Sequence, residues 1–347
     1  MTTATSAPSI VENARLLYMT GRCDPAVALL AQALEQDPSQ RHVRTAMCEL
    51  LIDSGRYEAA LQLLPDEEGD AADRHWMKLR AFCCEASGDV SGAERIVDRL
   101  LAVDGRCALS LVVKARILVR AGQAGLAEEL FRRAIASDPD GGWAYWGLGQ
   151  LQRARGRHAE SLDWFESAFQ RCPQSRDMAL ALHAAALAAE SHPRGEAILR
   201  KALHQRPLDR RLRFLLTDLL LRQRKHAEAM AEIESSMADF GVDDGILAAA
   251  LSVRQRIGSA CALGRRKNGG TVSLCMIVKN EEKHLPRCLR CARPIVDEIV
   301  VVDTGSTDRT RNIAGAFGAR VFDFPWNDDF AAARNFSLPQ AAGDWIL

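Results

Sequence analysis

The sequence predicts an all-helical repeat array followed by part of an α/β domain built on a parallel sheet. Three observations carry that expectation: glycines recurring every 33 or 34 residues, a polar glycine-flanked stretch at 264–270, and beyond it two near-continuous apolar runs separated by helical sequence. At 347 residues the chain has room for about two domains. It holds 45 basic and 45 acidic residues, and neither part has a charge excess, so no nucleic-acid partner and no polybasic membrane surface is indicated. The first twenty residues lack the basic start and apolar core of a secretion signal. No apolar run reaches the ~18 residues of a transmembrane segment. A soluble, cytoplasmic chain is expected.

The array is read from its punctuation. Gly21, Gly55, Gly88, Gly122 and Gly156 stand 34, 33, 34 and 34 residues apart; Pro139, Pro173 and Pro207 keep a 34-residue phase, with Pro38 101 residues before Pro139. Each glycine lies between two amphipathic segments, and each proline follows the second, where a helix cannot continue. In the unit beginning near Gly142, Tyr145, Leu148 and Gly149 share one face of the first helix and Gly156 makes the turn. Ser161, Phe165 and Ala168 then face inward from the second helix before Pro173 ends it. The small residues Gly149, Ser161 and Ala168 let the paired helices approach closely. Ala14, Gly21, Ala26, Leu30, Ala33 and Pro38 fill the matching slots of the first unit, and Ala115, Gly122, Ala127, Phe131, Ala134 and Pro139 those of the fourth. The sixth and seventh units depart, with Glu190 and Arg224 in the turn-glycine slots, while Ala202, Pro207 and Ala229 hold the register.

This pattern resembles the tetratricopeptide repeat. Residues 8–258 are then an array of about seven helix pairs ended by a capping helix near Asp243–Ile257. The resemblance implies a concave groove for a peptide, a protein partner or an acceptor substrate. Trp143, Trp146 and Trp164 cluster in the fifth unit as candidate groove residues, although aromatics at helical spacing are more often core. Ten cysteines are scattered without a secretion signal and read as free thiols. Cys288 and Cys291 have metal or redox spacing but no second ligand pair, and the dispersed histidines show no ligand spacing.

The stretch 264–270 marks the boundary, being polar and aperiodic. Val272–Val278 reads as a strand covered on both faces. It gives way at Lys279-Asn280-Glu281-Glu282 to a short helix that tolerates Pro286 in its first turn. Glu298–Asp303 is a second buried strand, and Thr304-Gly305-Ser306 leads into a helix with Ser306 as its cap and Asp308 in its first turn. Arg320–Phe324 is a third strand, and Trp345 to Leu347 begins a fourth. This alternation points to a parallel, doubly wound sheet. Asp303 stands at the C-terminal tip of the second strand, where open α/β sheets bind ligands. It either accepts hydrogen bonds from a ribose or a base N–H, or simply caps its turn. No glycine-rich dinucleotide fingerprint and no P-loop is present.

Read together, SLCMIVKNEE, DEIVVVDTGSTD, FPWNDDFAAARN and GDWIL, in this order and spacing, resemble the start of a family 2 glycosyltransferase of GT-A fold, over residues 271–347. The resemblance implies transfer of a sugar from a nucleotide-sugar donor, a UDP-sugar first, to an acceptor. It also implies a divalent metal, Mn or Mg, held in the intact domain by an L-D-x-D element that follows these segments in the family. The nucleotide-contacting residues map onto Val278 to Glu281 and onto Asp303, Thr304, Gly305 and Ser306. Arg334, within Ala333-Arg334-Asn335, is placed near the diphosphate or base, where a guanidinium has suitable charge and fork geometry. Lys279 stands where many members carry an aromatic residue, and Asp344 reads as structural.

Asp328-Asp329 precede the A-R-N element, so they read as solvated or helix-capping carboxylates rather than a metal pair. No catalytic base and no metal ligand is assigned, and the chain by itself is expected not to turn over. Two other readings compete. One is an interaction scaffold whose transferase segment is vestigial. The other is a nucleotidyltransferase, which would carry a glycine-rich basic loop where KNEEKH stands.

Overall fold

The protein is described here by a computed structural model over residues 9–65, 74–258 and 270–347. The boundary stretch at 264–270 lies outside the described residues apart from Gly270. Helices follow one another in pairs: α1 (Ile10–Met19) with α2 (Cys23–Gln36), α3 (Arg41–Asp53) with α4 (Tyr57–Leu63), and α5 (Arg74–Ser87) with α6 (Val90–Val103). Next come α7 (Ala108–Arg120) with α8 (Ala124–Ser137), α9 (Gly142–Ala154) with α10 (His158–Arg171), and α11 (Arg176–Ala188) with α12 (His192–Gln205). The last pair is α13 (Arg210–Arg222) with α14 (His226–Phe240), and the single helix α15 (Asp244–Ile257) follows. Then β1 (Val272–Val278), α16 (Leu285–Ala292), β2 (Glu298–Asp303), α17 (Thr310–Ala316), β3 (Arg320–Asp323), α18 (Phe330–Ser337) and β4 (Trp345–Ile346) complete the order. The chain divides into two compact units, Met1–Leu215 and Leu216–Leu347.

Close approach of paired helices is set by one slot per repeat. Ala26, Ala60, Ala93, Ala127, Ser161, Gly195 and Ala229 recur every 33 or 34 residues, and all are buried. In the fifth pair a Cβ on Gly149 would sit 2.8 Å from the Phe165 ring, and one on Gly147 would sit 2.3 Å from the Phe131 ring. Only glycine admits those aromatics. Ser161 answers its own burial by donating to the Gly149 carbonyl at 2.9 Å. Trp143 belongs to this core: its ring lies 4.6 Å from that of Phe82, and it packs against the buried clusters on both sides. Trp164 packs against the same cluster as Phe131 and Leu148.

The turn glycines all have positive φ, from +73° at Gly156 to +96° at Gly21 and Gly88. Glu190 and Arg224, which replace them in the last two repeats, are held in the same left-handed region at φ 51° and 59°. A side chain there costs about 1–2 kcal/mol. Glu190→Gly is therefore expected to stabilise the chain by about 1 kcal/mol, net of the entropy glycine adds to the unfolded state, as read by denaturant titration.

The first compact unit closes on itself. The α1–α2 turn meets the α12–α13 turn, where Leu208 N–H donates to the Thr20 carbonyl at 3.1 Å and the Arg206 guanidinium lies 5.2 Å from the Tyr18 ring centre. The Tyr18 hydroxyl donates to the Gln174 carbonyl at 3.4 Å, and the Tyr57 hydroxyl donates to Asp177. Thus the first two repeats touch the loops that flank the sixth. Asp53, at the end of α3, sits in this seam, and burial pushes its carboxyl up to about 6 against the opposing hydrogen bond from Gln174.

A folded-state pKa above the unfolded value means the folded form binds the extra proton between about pH 4 and 6. Stability is therefore expected to fall as pH rises through that window and to level off above it. Allowing for partial exposure, the loss is about 1–2 kcal/mol. Asp53→Asn is expected to abolish that slope and to raise the melting temperature at pH 7; an unchanged pH profile would remove the assignment.

In the second unit four parallel strands lie in the order β3-β2-β1-β4. β2 is buried along its whole length, which is why it reads as an unbroken apolar run ending in Asp303. α16 and α17 lie on one face of the sheet, and α18, beside Cys275, lies on the other. Leu274, Met276, Val278, Ile299 and Val301 face the first side. There they share one core with Leu289, Ile313 and Phe317, and with Met230, Ile233, Met237, Leu247 and Val253 from α14 and α15. Polar contacts fasten the same joint: Arg254 donates to Glu234 at 2.7 Å and to the Ala316 carbonyl at 2.9 Å.

One local expectation is corrected. The helix after β2 starts at Thr310, so Ser306 does not cap it and Asp308 lies before its first turn. Asp303 captures Ser306 instead, taking both its N–H and its hydroxyl. The N-cap position falls to Arg309, whose side chain caps nothing, and Asp308 before it accepts from Thr310 N–H at 2.9 Å. Against the burial that would raise its pKa, hydrogen bonds from Thr310 and Glu282 hold the Asp308 carboxyl below the usual range.

Candidate functional site

The loops that leave β1 and β2 lie side by side at the C-terminal ends of two adjacent parallel strands. Asn280 turns the chain after β1 at φ +55°, a conformation that asparagine accepts more readily than most residues. Its side-chain carbonyl accepts from Thr307 N–H at 2.8 Å, while its own N–H donates to the Ser306 hydroxyl at 2.9 Å. Further along, Glu281 N–H donates to Thr310 Oγ1 at 2.7 Å and Glu282 N–H to Asp308 Oδ2 at 3.1 Å; Arg309 N–H returns a bond to Glu282 Oε2 at 3.2 Å. At the base, Thr304 donates from both N–H and hydroxyl to the Val278 carbonyl. The two loops form a single laced ledge.

Most residues expected at a nucleotide site meet here. Val278, Asp303 and Thr304 are buried beneath the ledge, Glu281 and Ser306 are partly buried, and Gly305 is exposed at φ +101° with open space where a Cβ would lie. Asp303 is only 2% exposed. Its Oδ1 and Oδ2 both lie 3.2 Å from Ser306 N–H, and its Oδ2 lies 3.7 Å from an Arg311 guanidinium nitrogen. A carboxylate has about four lone-pair sites, so capacity for a further donor remains at Oδ2.

Arg334 is placed elsewhere. It lines a cavity of about 170 Å³ on the α18 side of β1 with Cys275, Ile277, Ser337, Leu338, Ile346 and Leu347. Lys279 and Gly305 are exposed on the ledge, open to solvent.

Sequence reasoning missed Arg311 and Asp323. Arg311 reaches back from the second residue of α17, pairs with Asp323 at the end of β3, and stands beside Asp303. No local pattern marks it, because Asp303 and Asp323 come near only through the packing of separate elements.

Divalent-metal chemistry does not fit these residues. Among the described residues no group of three or more His, Cys, Asp or Glu side chains comes together. Asp303 is the one carboxylate at the ledge with room for a further donor, and it already holds Ser306 and stands beside Arg311, with no second acid beside it to share a metal ion. Asp328 accepts from the Trp326 indole at 2.8 Å, and Asp329 caps α18 by accepting from Ala332 N–H at 3.0 Å. Asp344 receives the Thr271 N–H and hydroxyl at 2.8 and 3.0 Å, a structural clamp at the edge of β1. Nine cysteines, Cys288 and Cys291 included, are free thiols. Among the described residues no helix is long and apolar enough to cross a membrane.

Comparison with known proteins matches two families to different stretches of the chain. Residues 273–347 match the family described as glycosyl transferase family 2. Residues 17–81, 85–141, 112–176 and 180–240 match tetratricopeptide repeat families. A TPR repeat-containing protein of Synechococcus elongatus is 55% identical over 76 residues, 22% of this chain and 19% of that protein. An uncharacterized glycosyltransferase of Rickettsia typhi is 37% identical over 76 residues, 22% of this chain and 26% of its own length. The glycosyltransferase SunS of Bacillus subtilis is 34% identical over 84 residues, 22% of this chain and 18% of that protein. The chain thus spans about a quarter or less of the curated relatives it matches. A TPR protein of Thermus thermophilus superposes on 51% of this chain and 97% of its own, with 19% identity and a TM-score of 0.41.

Proposed function

From a chain that joins tetratricopeptide repeats to family 2 glycosyltransferase sequence, we propose that residues 271–347 supply the donor-nucleotide side of a sugar transfer and that the repeats recruit the acceptor or a partner protein. The observation that carries the reading is the laced ledge, with the Asp303 carboxylate at its base. Ligands of open parallel sheets bind outside the C-terminal strand ends, which is where the ledge lies. Each part has a role there. Asp303 Oδ2 accepts an N–H of the nucleobase, with uracil and its acidic N3–H the best fit. Gly305 lets the backbone approach the ligand without a side chain in the way. Thr304, Asn280 and Thr310 hold the two loops together, so that little ordering remains to be paid when the nucleotide arrives. Glu281 and Ser306 stand at the rim beside the ribose, and Arg334 acts from the α18 side.

The donor is accordingly a nucleotide-sugar, a UDP-sugar first, and the acceptor is whatever the repeats deliver. UDP titrated into the full chain by calorimetry is expected to bind. Asp303→Asn, which keeps the shape but places an amide where an acceptor is needed, is expected to weaken binding about tenfold, the effect of one charge-assisted hydrogen bond. Equal affinity of the two proteins for UDP would reject Asp303 as the base contact.

A further inference from the structure

The ledge has a third point of attachment, to the end of the repeat array. Arg309 follows Asp308 directly. Its backbone N–H bonds Glu282, but its side chain leaves the ledge: Nη1 donates to the Val242 carbonyl at 2.6 Å, and Nε lies 3.2 Å from Asp244 Oδ1. Val242 lies in the turn between α14 and α15, and Asp244 is the first residue of α15. The turn is pinned at its far end, because Asp243 caps α15 by accepting from Ile246 N–H at 2.8 Å. It is pinned from below by the shared apolar core of α14, α15, α16 and α17. Residues 180–240 match the repeat family, so α14 is the last helix of the last matched repeat.

The two contacts are unequal. Asp244 is 90% exposed, and an ion pair with so wet a partner contributes little. The short bond from a guanidinium to a carbonyl is the strong one. It holds the C-terminal end of a loop whose other ties run only to the β1 loop and to Asp303, with Gly305 at φ +101° and both Gly305 and Thr307 exposed.

We infer that Arg309 is a positioning residue, which fixes the Thr304–Asp308 loop to the turn that ends the repeat array and so links nucleotide affinity to the state of the last repeat. The inference rests on the reading of the ledge as a nucleotide site. Whatever loosens the α14–α15 turn, a partner bound to the last helix pair included, loosens the loop through Arg309.

Two readouts on the full chain separate this inference from that reading. Amide hydrogen exchange without nucleotide is expected to run about tenfold faster at Thr304–Thr310 in Arg309→Ala than in wild type, while α14 and the strands keep their protection. Arg309→Lys, which still reaches the Val242 carbonyl, is expected to restore most of the protection. UDP affinity is expected to fall about tenfold in Arg309→Ala and to recover with lysine. Unchanged loop exchange, or a rise shared equally by α14 and β2, overturns the positioning role even if UDP binds. A wild-type chain that does not bind UDP overturns the nucleotide reading, and the exchange data then decide the attachment alone. Binding by wild type with equal affinity in Arg309→Ala overturns the link to nucleotide affinity.

Discussion

Gly21→Ala is expected to open the repeat array. A Cβ at Gly21 would lie 2.2 Å from the Asp209 nitrogen, 2.5 Å from the Leu208 carbonyl carbon and 2.6 Å from the Asp209 Cα. These are backbone atoms, and no flexible side chain can swing aside to make room. The residue also sits at φ +96°, so any side chain there carries the left-handed penalty as well. Gly88 separates the two costs, since it has the same φ of +96° and nothing within 4 Å of its Cβ position. Gly88→Ala is expected to lose about 1–2 kcal/mol from backbone strain alone. Gly21→Ala is expected to lose at least about 3 kcal/mol, the strain plus the parted seam. Small-angle scattering should show a larger radius of gyration for Gly21→Ala only. Matching losses and matching radii in the two variants would mean that the seam contributes nothing.

Glu234→Ala should be the most damaging single change in the second unit. Glu234 and Arg254 are each about one-tenth exposed and bonded at 2.7 Å, with Arg293 a further 3.9 Å from the same carboxylate. Truncating the glutamate leaves two guanidinium groups near each other in an apolar joint with no counter-charge. Removing one partner of such a pair costs about 3–5 kcal/mol, far more than the pair contributes relative to a well-packed apolar substitute. The double variant Glu234→Leu with Arg254→Leu is therefore expected to be more stable than Glu234→Ala alone. Urea titrations of the three proteins check this ordering, and a single variant within about 1 kcal/mol of wild type would refute it.

The parts of the fold legible in the sequence are those fixed by local pattern. β1 and β2 read correctly end to end because strands inside a parallel sheet leave near-continuous apolar runs. The helix pairs read correctly because one small residue per repeat must sit where two helices touch. Ser306 was misread because a serine after a strand looks like a cap, and nothing local says that Asp303, three residues earlier, will claim its N–H and hydroxyl first. Arg309 and Arg311 were invisible for another reason: their partners, Val242, Asp244, Asp303 and Asp323, are brought near by packing of whole elements. The seam was hidden most thoroughly. Tyr18 and Gln174 are 156 residues apart, and Gly21 and Gly88 are indistinguishable as repeat glycines, yet only one of them faces another backbone.

That seam changes what can happen to this protein over time. A stack with two free ends can gain or drop a copy of its unit and remain the same kind of object, slightly longer or shorter. A hoop cannot. Here the rotations contributed by successive pairs must sum so that Thr20 arrives opposite Leu208. Duplication or loss of one 34-residue copy would leave the ends misaligned by a whole step. Copy number in the first unit is thereby fixed by geometry, and sequence drift within a copy, as at Glu190, is the change that remains open to it.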